Sequence, residues 1–270
     1  MVSERAAQRA FFCVTALLFA ASAALTVLWC ASMSASDDMA MPGGWTLSMA
    51  WMRMPGQTWL GAASSFLGMW VAMMGAMMLP LLVPMLRRYR LAIGGCGTQR
   101  VGWLTAVVGA GYFWVWTVFG MAVFALGAAL AELEMRLPAL SRAAPIAVSM
   151  VVLIAGALQF SGWKAHHLTC CRKESVSGCK EPASDPPLRA DIGTAWRQGL
   201  RLGLHCSRCC ASLTAILLVI GVMDLRAMAI VSAANVVERF APAGERAARA
   251  IGAAAVGAGV FLIARATALG

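Results

Sequence analysis

The stretch SFLGMWVAMMGAMMLPLLVPML, residues 65–86, contains no charged side chain. A helix needs about 20 predominantly apolar residues to cross a hydrocarbon core about 30 Å thick, so this run predicts a transmembrane helix. Apolar runs of similar character occupy residues 11–29, 102–130, 144–163 and 203–222, and residues 251–263 form the core of another. Between the last two, residues 225–237 are apolar but short, with Asp224 just before them. The expectation is an all-α, polytopic helical bundle of six or seven transmembrane helices, with residues 1–270 forming a single membrane domain.

Composition agrees with that reading. Hydrophobic residues make up 60% of the chain and charged residues 13%. A water-soluble domain typically carries about 45–50% and about 25%, so these charges are too few to cover a water-facing surface. Arg5 and Arg9 precede the first run, which is longer than a typical signal-peptide core and reads as an anchored helix. Arginines 87, 88, 90 and 100 crowd the second connection, and Lys164, Arg172, Lys173, Lys180, Arg189, Arg197 and Arg201 crowd the fourth. Positive loops stay in the cytoplasm, which places the N-terminus there, in a bacterial inner membrane. Residues 31–63, with Asp37, Asp38 and Arg53 as their only charges, then form a Met- and Trp-rich extracytoplasmic loop. Residues 164–201 form a cytoplasmic loop containing cysteine and histidine, broken by Pro182, Pro186 and Pro187. The net charge of +10 belongs to these loops and not to a nucleic-acid footprint. No internal repeat suggests a transporter built from two matching halves.

Soft donor residues carry the functional signal. Twelve of the 18 methionines lie between Met33 and Met85. In the 65–86 run, Met69, Met73 and Met77 share one helical stripe, and Met74, Met78 and Met85 share the adjoining one. Methionine is also a flexible core filler, the competing explanation for such a stripe. In the outer loop, however, Met39, Met41, Met49, Met52 and Met54 interleave with Trp45, Trp51 and Trp59 outside any span. A neutral thioether selects Cu(I) over harder ions, so the pattern suggests a Cu(I) route entering at Met49, Met52 and Met54. Pro80 and Pro84 bend the run and free carbonyls beside the stripe.

Two further clusters follow. In GLHCSRCC, His205, Cys206, Cys209 and Cys210 fall within an arc of about 140° if helical, a metal-ligand pattern that thiol redox motifs share. Next to the fourth span stand His166, His167, Cys170, Cys171 and Cys179, on the same cytoplasmic side. Cytoplasmic thiols stay reduced, which favours metal binding over disulfides. Cys13, Cys30 and Cys96 have no partner ligand nearby in sequence and read as packing residues. Copper as Cu(I) is the expected metal and zinc the second candidate.

The segments MWVAMMGAMMLPLLVPM at 69–85, QFSGWKAHHLTCCR at 159–172, GLRLGLHCSRCC at 199–210 and GVMDLRAMA at 221–229 together resemble a bacterial family of metal-binding integral membrane proteins. That family includes a proposed copper chaperone serving a bacterial tyrosinase. The resemblance spans about residues 64–240, in matching order, and implies a membrane protein that handles copper for a cuproenzyme or other metalloprotein client. Two other classes stand beside it. One is a membrane oxidoreductase using a bound metal or the Cys206/Cys209 thiols; the other is a structural or assembly subunit whose Met and Cys residues only pack. No catalytic base stands out, since Asp224 and Glu238 read as capping or pairing residues at helix ends.

Overall fold

The computed structural model describes residues 2–34, 39–40, 46–47, 58–93, 97–176, 191–222 and 224–269. Helix α1 covers Val2–Ser34, α2 Trp59–Ala92, α3 Thr98–Arg136, α4 Pro138–Leu158, α5 Gly162–Val176, α6 Ile192–Ile220, α7 Leu225–Phe240 and α8 Gly244–Leu269. Between α1 and α2 lies a two-residue antiparallel pair, β1 (Met39–Ala40) with β2 (Thr46–Leu47). The bundle is otherwise helical among the described residues.

Five of these helices, α1, α2, α3, α6 and α8, are long and apolar enough to cross a membrane. A sixth span arises if α4 and α5 count as one segment, bent by 62° at a short break. The six or seven spans expected from sequence thus become five or six. Helix α7 drops out because its 16 residues reach only about 24 Å at about 1.5 Å each, and the expected fourth span counts only when α4 is taken with α5.

Local chemistry sets the helix ends. Thr58 Oγ1 accepts the Gly61 amide at 3.1 Å to cap α2, and Asp224 Oδ1 accepts the Arg226 and Ala227 amides at 2.7 and 3.2 Å to cap α7. Asp224 therefore caps, as its place before the short run suggested. Leu137 alone separates α3 from α4, extended because Pro138 follows it. Helix α2 carries both Pro80 and Pro84 within its length.

Helices α2 and α6 form the interior, while the apolar windows of α1, α3 and α8 face mostly outward. Exposed Leu17, Leu28, Trp103 and Phe261 suit a lipid-facing surface. A close crossing joins α3 to α6. A Cβ placed on Gly199 would lie 3.0 Å from the Gly111 Cα and press on the Val108 carbonyl oxygen, and one on Gly203 would lie 3.0 Å from the Tyr112 oxygen. The Gly199-x-x-x-Gly203 spacing puts both on one face, where small residues let helix backbones meet in lipid. This crossing brings Tyr112 of α3 over the cysteines of α6.

The 164–201 connection is more helical than its composition suggests. Helix α5 takes up its first part and α6 begins at Ile192, well before residue 203. Charge misleads here: Arg197, Arg201 and Arg208 all lie on the exposed face of α6, opposite buried Ala195, Gly199, Leu202 and Cys206. At the α4–α5 break, Ser161 Oγ accepts the Lys164 amide at 3.2 Å, opening α5 as a new helix. That turn directs Lys164 into the bundle.

Candidate metal centre

Cys206 stands at the middle of the 29-residue α6, one turn before Cys210. Spacing of four residues stacks the two side chains on one face, and their sulfurs lie 4.0 Å apart. That is about twice the length of a disulfide bond, so both remain thiols. Three other helices close around them. Tyr112 of α3 donates its hydroxyl to Cys206 Sγ at 3.1 Å. Arg239 of α7 directs Nη1 to Cys206 Sγ at 3.7 Å and Nη2 to Met85 Sδ of α2 at 3.2 Å. All five residues are buried.

The group has definite chemistry. Two thiols and a thioether are soft donors, suited to Cu(I). Two sulfurs 4.0 Å apart are close enough that both would reach a single soft metal ion. The guanidinium places a permanent positive charge against the sulfurs, complementing a thiolate, the form that binds metal.

Met85 also joins this centre to the methionine stripe. Met69, Met73, Met74, Met77 and Met78 are buried in the same core as Met85, Cys206 and Cys210. Such burial accommodates both a packing role and a soft-donor path.

The four-residue arc of α6 divides between two environments. Cys206 and Cys210 face the main core, whereas Cys209 packs with Leu168 of α5 and Ala248 of α8. His205 is half-buried. The α5 histidines approach this second side: the His167 ring lies 5.6 Å from that of His166 and 4.6 Å from that of Trp163. His205, Arg208 and Cys209 all stand within electrostatic reach of His167. Among the described residues, no three His, Cys, Asp or Glu side chains converge as a metal-ligand group. Cys206 and Cys210 form a pair of buried sulfurs, and Met85 is joined to Cys206 through Arg239. The Cys206/Cys209 pair, a candidate redox couple in the sequence, packs in two different apolar clusters, Cys206 in the main core and Cys209 against Leu168 and Ala248. Cys170 and Cys171 lie on α5, but their side chains fall outside the described residues, as do Cys179, Met49, Met52 and Met54 altogether.

A buried polar assembly braces α6 from behind. Lys164 Nζ donates to the Cys209 carbonyl oxygen at 2.7 Å and pairs with Glu238 Oε2 at 2.8 Å. Gln159 Nε2 donates to Glu238 Oε1 at 2.9 Å. Lys164 is 1% exposed and Glu238 2%, so a lysine that reads as a cytoplasmic loop charge is an interior residue. Sequence reasoning also passed over Tyr112 and Arg239. The available signal was Arg239 beside Glu238 in an apolar context, because ionisable residues inside a membrane bundle mark functional positions by default.

No curated protein matches the chain. No solved structure matches it either. Residues 67–262, which contain every member of the buried sulfur group, match the family PpoB2, described as a copper chaperone. By that match over most of its length, the chain belongs to the PpoB2 copper chaperone family.

Proposed function

We propose that the protein binds Cu(I) inside a bacterial inner membrane and passes it to a cuproenzyme client. The observation that carries this reading is the buried pair of Cys206 and Cys210 sulfurs 4.0 Å apart, with the Met85 thioether tied to Cys206 through the Arg239 guanidinium. Met49, Met52 and Met54 admit the ion, and Met69, Met73, Met74, Met77 and Met78 lead toward Met85. His166, His167, Cys170, Cys171, His205 and Cys209 supply a second group of ligands, from which the ion leaves. Thioethers hold Cu(I) without giving up a proton, and a weakly held ion moves between neighbouring donors. Zinc lacks such a preference for thioether, which places copper first. The deciding measurement is metal analysis of the detergent-solubilised protein purified under reducing conditions. Bound copper in excess of zinc supports the reading, and a metal-free or zinc-loaded protein that refuses Cu(I) on titration removes it.

Orientation follows from the arginine-rich connections, with the N-terminus in the cytoplasm. A reporter fused after Met54 should register outside the cytoplasm, and one fused near Pro186 should register inside. Both on one side would overturn this orientation and the proposed entry point.

The entry residues have their own test. Met49, Met52 and Met54 changed together to Leu keep volume and apolarity, a swap that costs less than about 1.5 kcal/mol even in a packed core. The triple variant should insert and resist heating like the parent but acquire Cu(I) more slowly in uptake assays. Uptake at the parental rate would reduce these three methionines to filler.

A further inference from the structure

We propose that Cys210 is a shared ligand that hands Cu(I) from Cys206 to Cys209, so that the first step of the ion's departure takes place within α6. The proposal rests on the reading of Cys206 and Cys210 as the principal ligand pair. It begins from two sulfur contacts made by one residue. Cys210 Sγ lies 4.0 Å from Cys206 Sγ and also within hydrogen-bonding reach of the Cys209 thiol.

The two contacts lead into different surroundings. Cys206 and Cys210 are buried in the main core with the methionines of α2, whereas Cys209 packs with Leu168 of α5 and Ala248 of α8. Cys209 also stands within electrostatic reach of His167 on α5, which puts the next donor near it. Helix geometry holds the three cysteines within one turn and about 100° of circumference. Lys164 fixes the backbone there by donating to the Cys209 carbonyl oxygen at 2.7 Å, a bond made to the main chain and not to the sulfur. Among the described residues no three such side chains converge on one point, so a third thiol engages by exchange and not as a resident ligand. In that exchange Cys210 keeps its bond to the metal, a bond from Cys209 forms and the bond from Cys206 breaks. No electron is transferred, and the proton that Cys209 gives up is matched by the one that Cys206 takes up. Retaining one ligand throughout avoids a bare ion in a buried apolar site, where uncoordinated charge is expensive. The Tyr112 hydroxyl, which donates to Cys206 Sγ at 3.1 Å, keeps the departing sulfur hydrogen-bonded.

Release kinetics separate a handover ligand from a resident one. The purified full-length protein, loaded with Cu(I) under reducing conditions, is mixed with excess bathocuproine disulfonate and the coloured chelate is followed in time. Affinity is measured by equilibrium competition with the same chelator. Cys209→Ser should hold its Cu(I) with near-parental affinity but release it roughly 10-fold or more slowly, with loading from the chelate slowed in proportion, because the soft exchange partner is gone. Cys210→Ser should lose the ion. Cys209→Ala, which suits the apolar contacts with Leu168 and Ala248, repeats the test should the serine variant fail to insert. Release at the parental rate in a Cys209 variant would overturn the proposal, and so would copper retained in Cys210→Ser. Lost affinity in the Cys209 variants would make Cys209 a resident ligand and would overturn it as well. A wild type that takes up no Cu(I) defeats the underlying metal-site reading instead, a result distinct from unchanged release.

Discussion

Cys206→Ser and Cys210→Ser should each remove a full equivalent of Cu(I) from the purified protein, while Cys209→Ser should leave that equivalent in place. Serine nearly preserves the size of cysteine but replaces a soft ligand with a hard one. The fold should tolerate Cys206→Ser, because the Tyr112 hydroxyl that now donates to Cys206 Sγ at 3.1 Å can donate to a serine oxygen instead. Loss of copper would then report a lost ligand and not a lost fold, provided that the variant inserts and elutes like the parent. Cys209 is the informative control. It belongs to the same GLHCSRCC motif, yet it packs with Leu168 and Ala248 and not in the core that buries Cys206 and Cys210. Equal copper loss in Cys209→Ser, with copper retained in Cys206→Ser, would move the principal site to the side of His166, His167 and His205.

Lys164→Ala should destabilise the solubilised protein by about 3–5 kcal/mol, the usual consequence of removing one partner from a buried ion pair. Glu238 is 2% exposed and would keep only the Gln159 hydrogen bond of the two partners that now hold its carboxylate. The Cys209 carbonyl would lose its 2.7 Å bond to Lys164 as well. A thermal unfolding series that compares Lys164→Met, Glu238→Leu and the double variant distinguishes pairing from bulk packing. Each single change should be costly, and the double should recover much of the loss, because two well-packed apolar residues replace a pair whose desolvation offsets much of its attraction. Additive losses would mean that the two charges act independently, contrary to their 2.8 Å contact. Copper binding should weaken with the fold in Lys164→Ala, since its bond to α6 lies within one turn of both Cys206 and Cys210.

Membrane character was legible because it follows from composition along single segments. An uncharged run such as 65–86 has to find an apolar environment whatever its neighbours are. The soft-donor residues were legible for a similar reason, since the chemistry of a thioether or thiol belongs to the side chain itself. Segment-by-segment reading failed where charged residues decorate only one face. Arg197 and Arg201 made the beginning of α6 look like loop, although Ala195, Gly199 and Leu202 are buried on its other side.

Side-chain chemistry and segment hydropathy therefore determined that this is a helical membrane protein rich in soft ligands. Only the tertiary structure decided which of those ligands meet. Spacing on α6 puts His205, Cys206, Cys209 and Cys210 on one broad arc, but an arc of about 140° is wide enough to face two neighbours at once. The close α3–α6 crossing at Gly111 and Gly199 places Tyr112 against Cys206, and the 62° turn between α4 and α5 carries Lys164 inward to Glu238. Met85 and Arg239 are separated by 154 residues and meet at 3.2 Å. Contacts of that kind depend on how whole helices pack, where backbone approach and buried charge pairing decide the outcome and no local spacing encodes it.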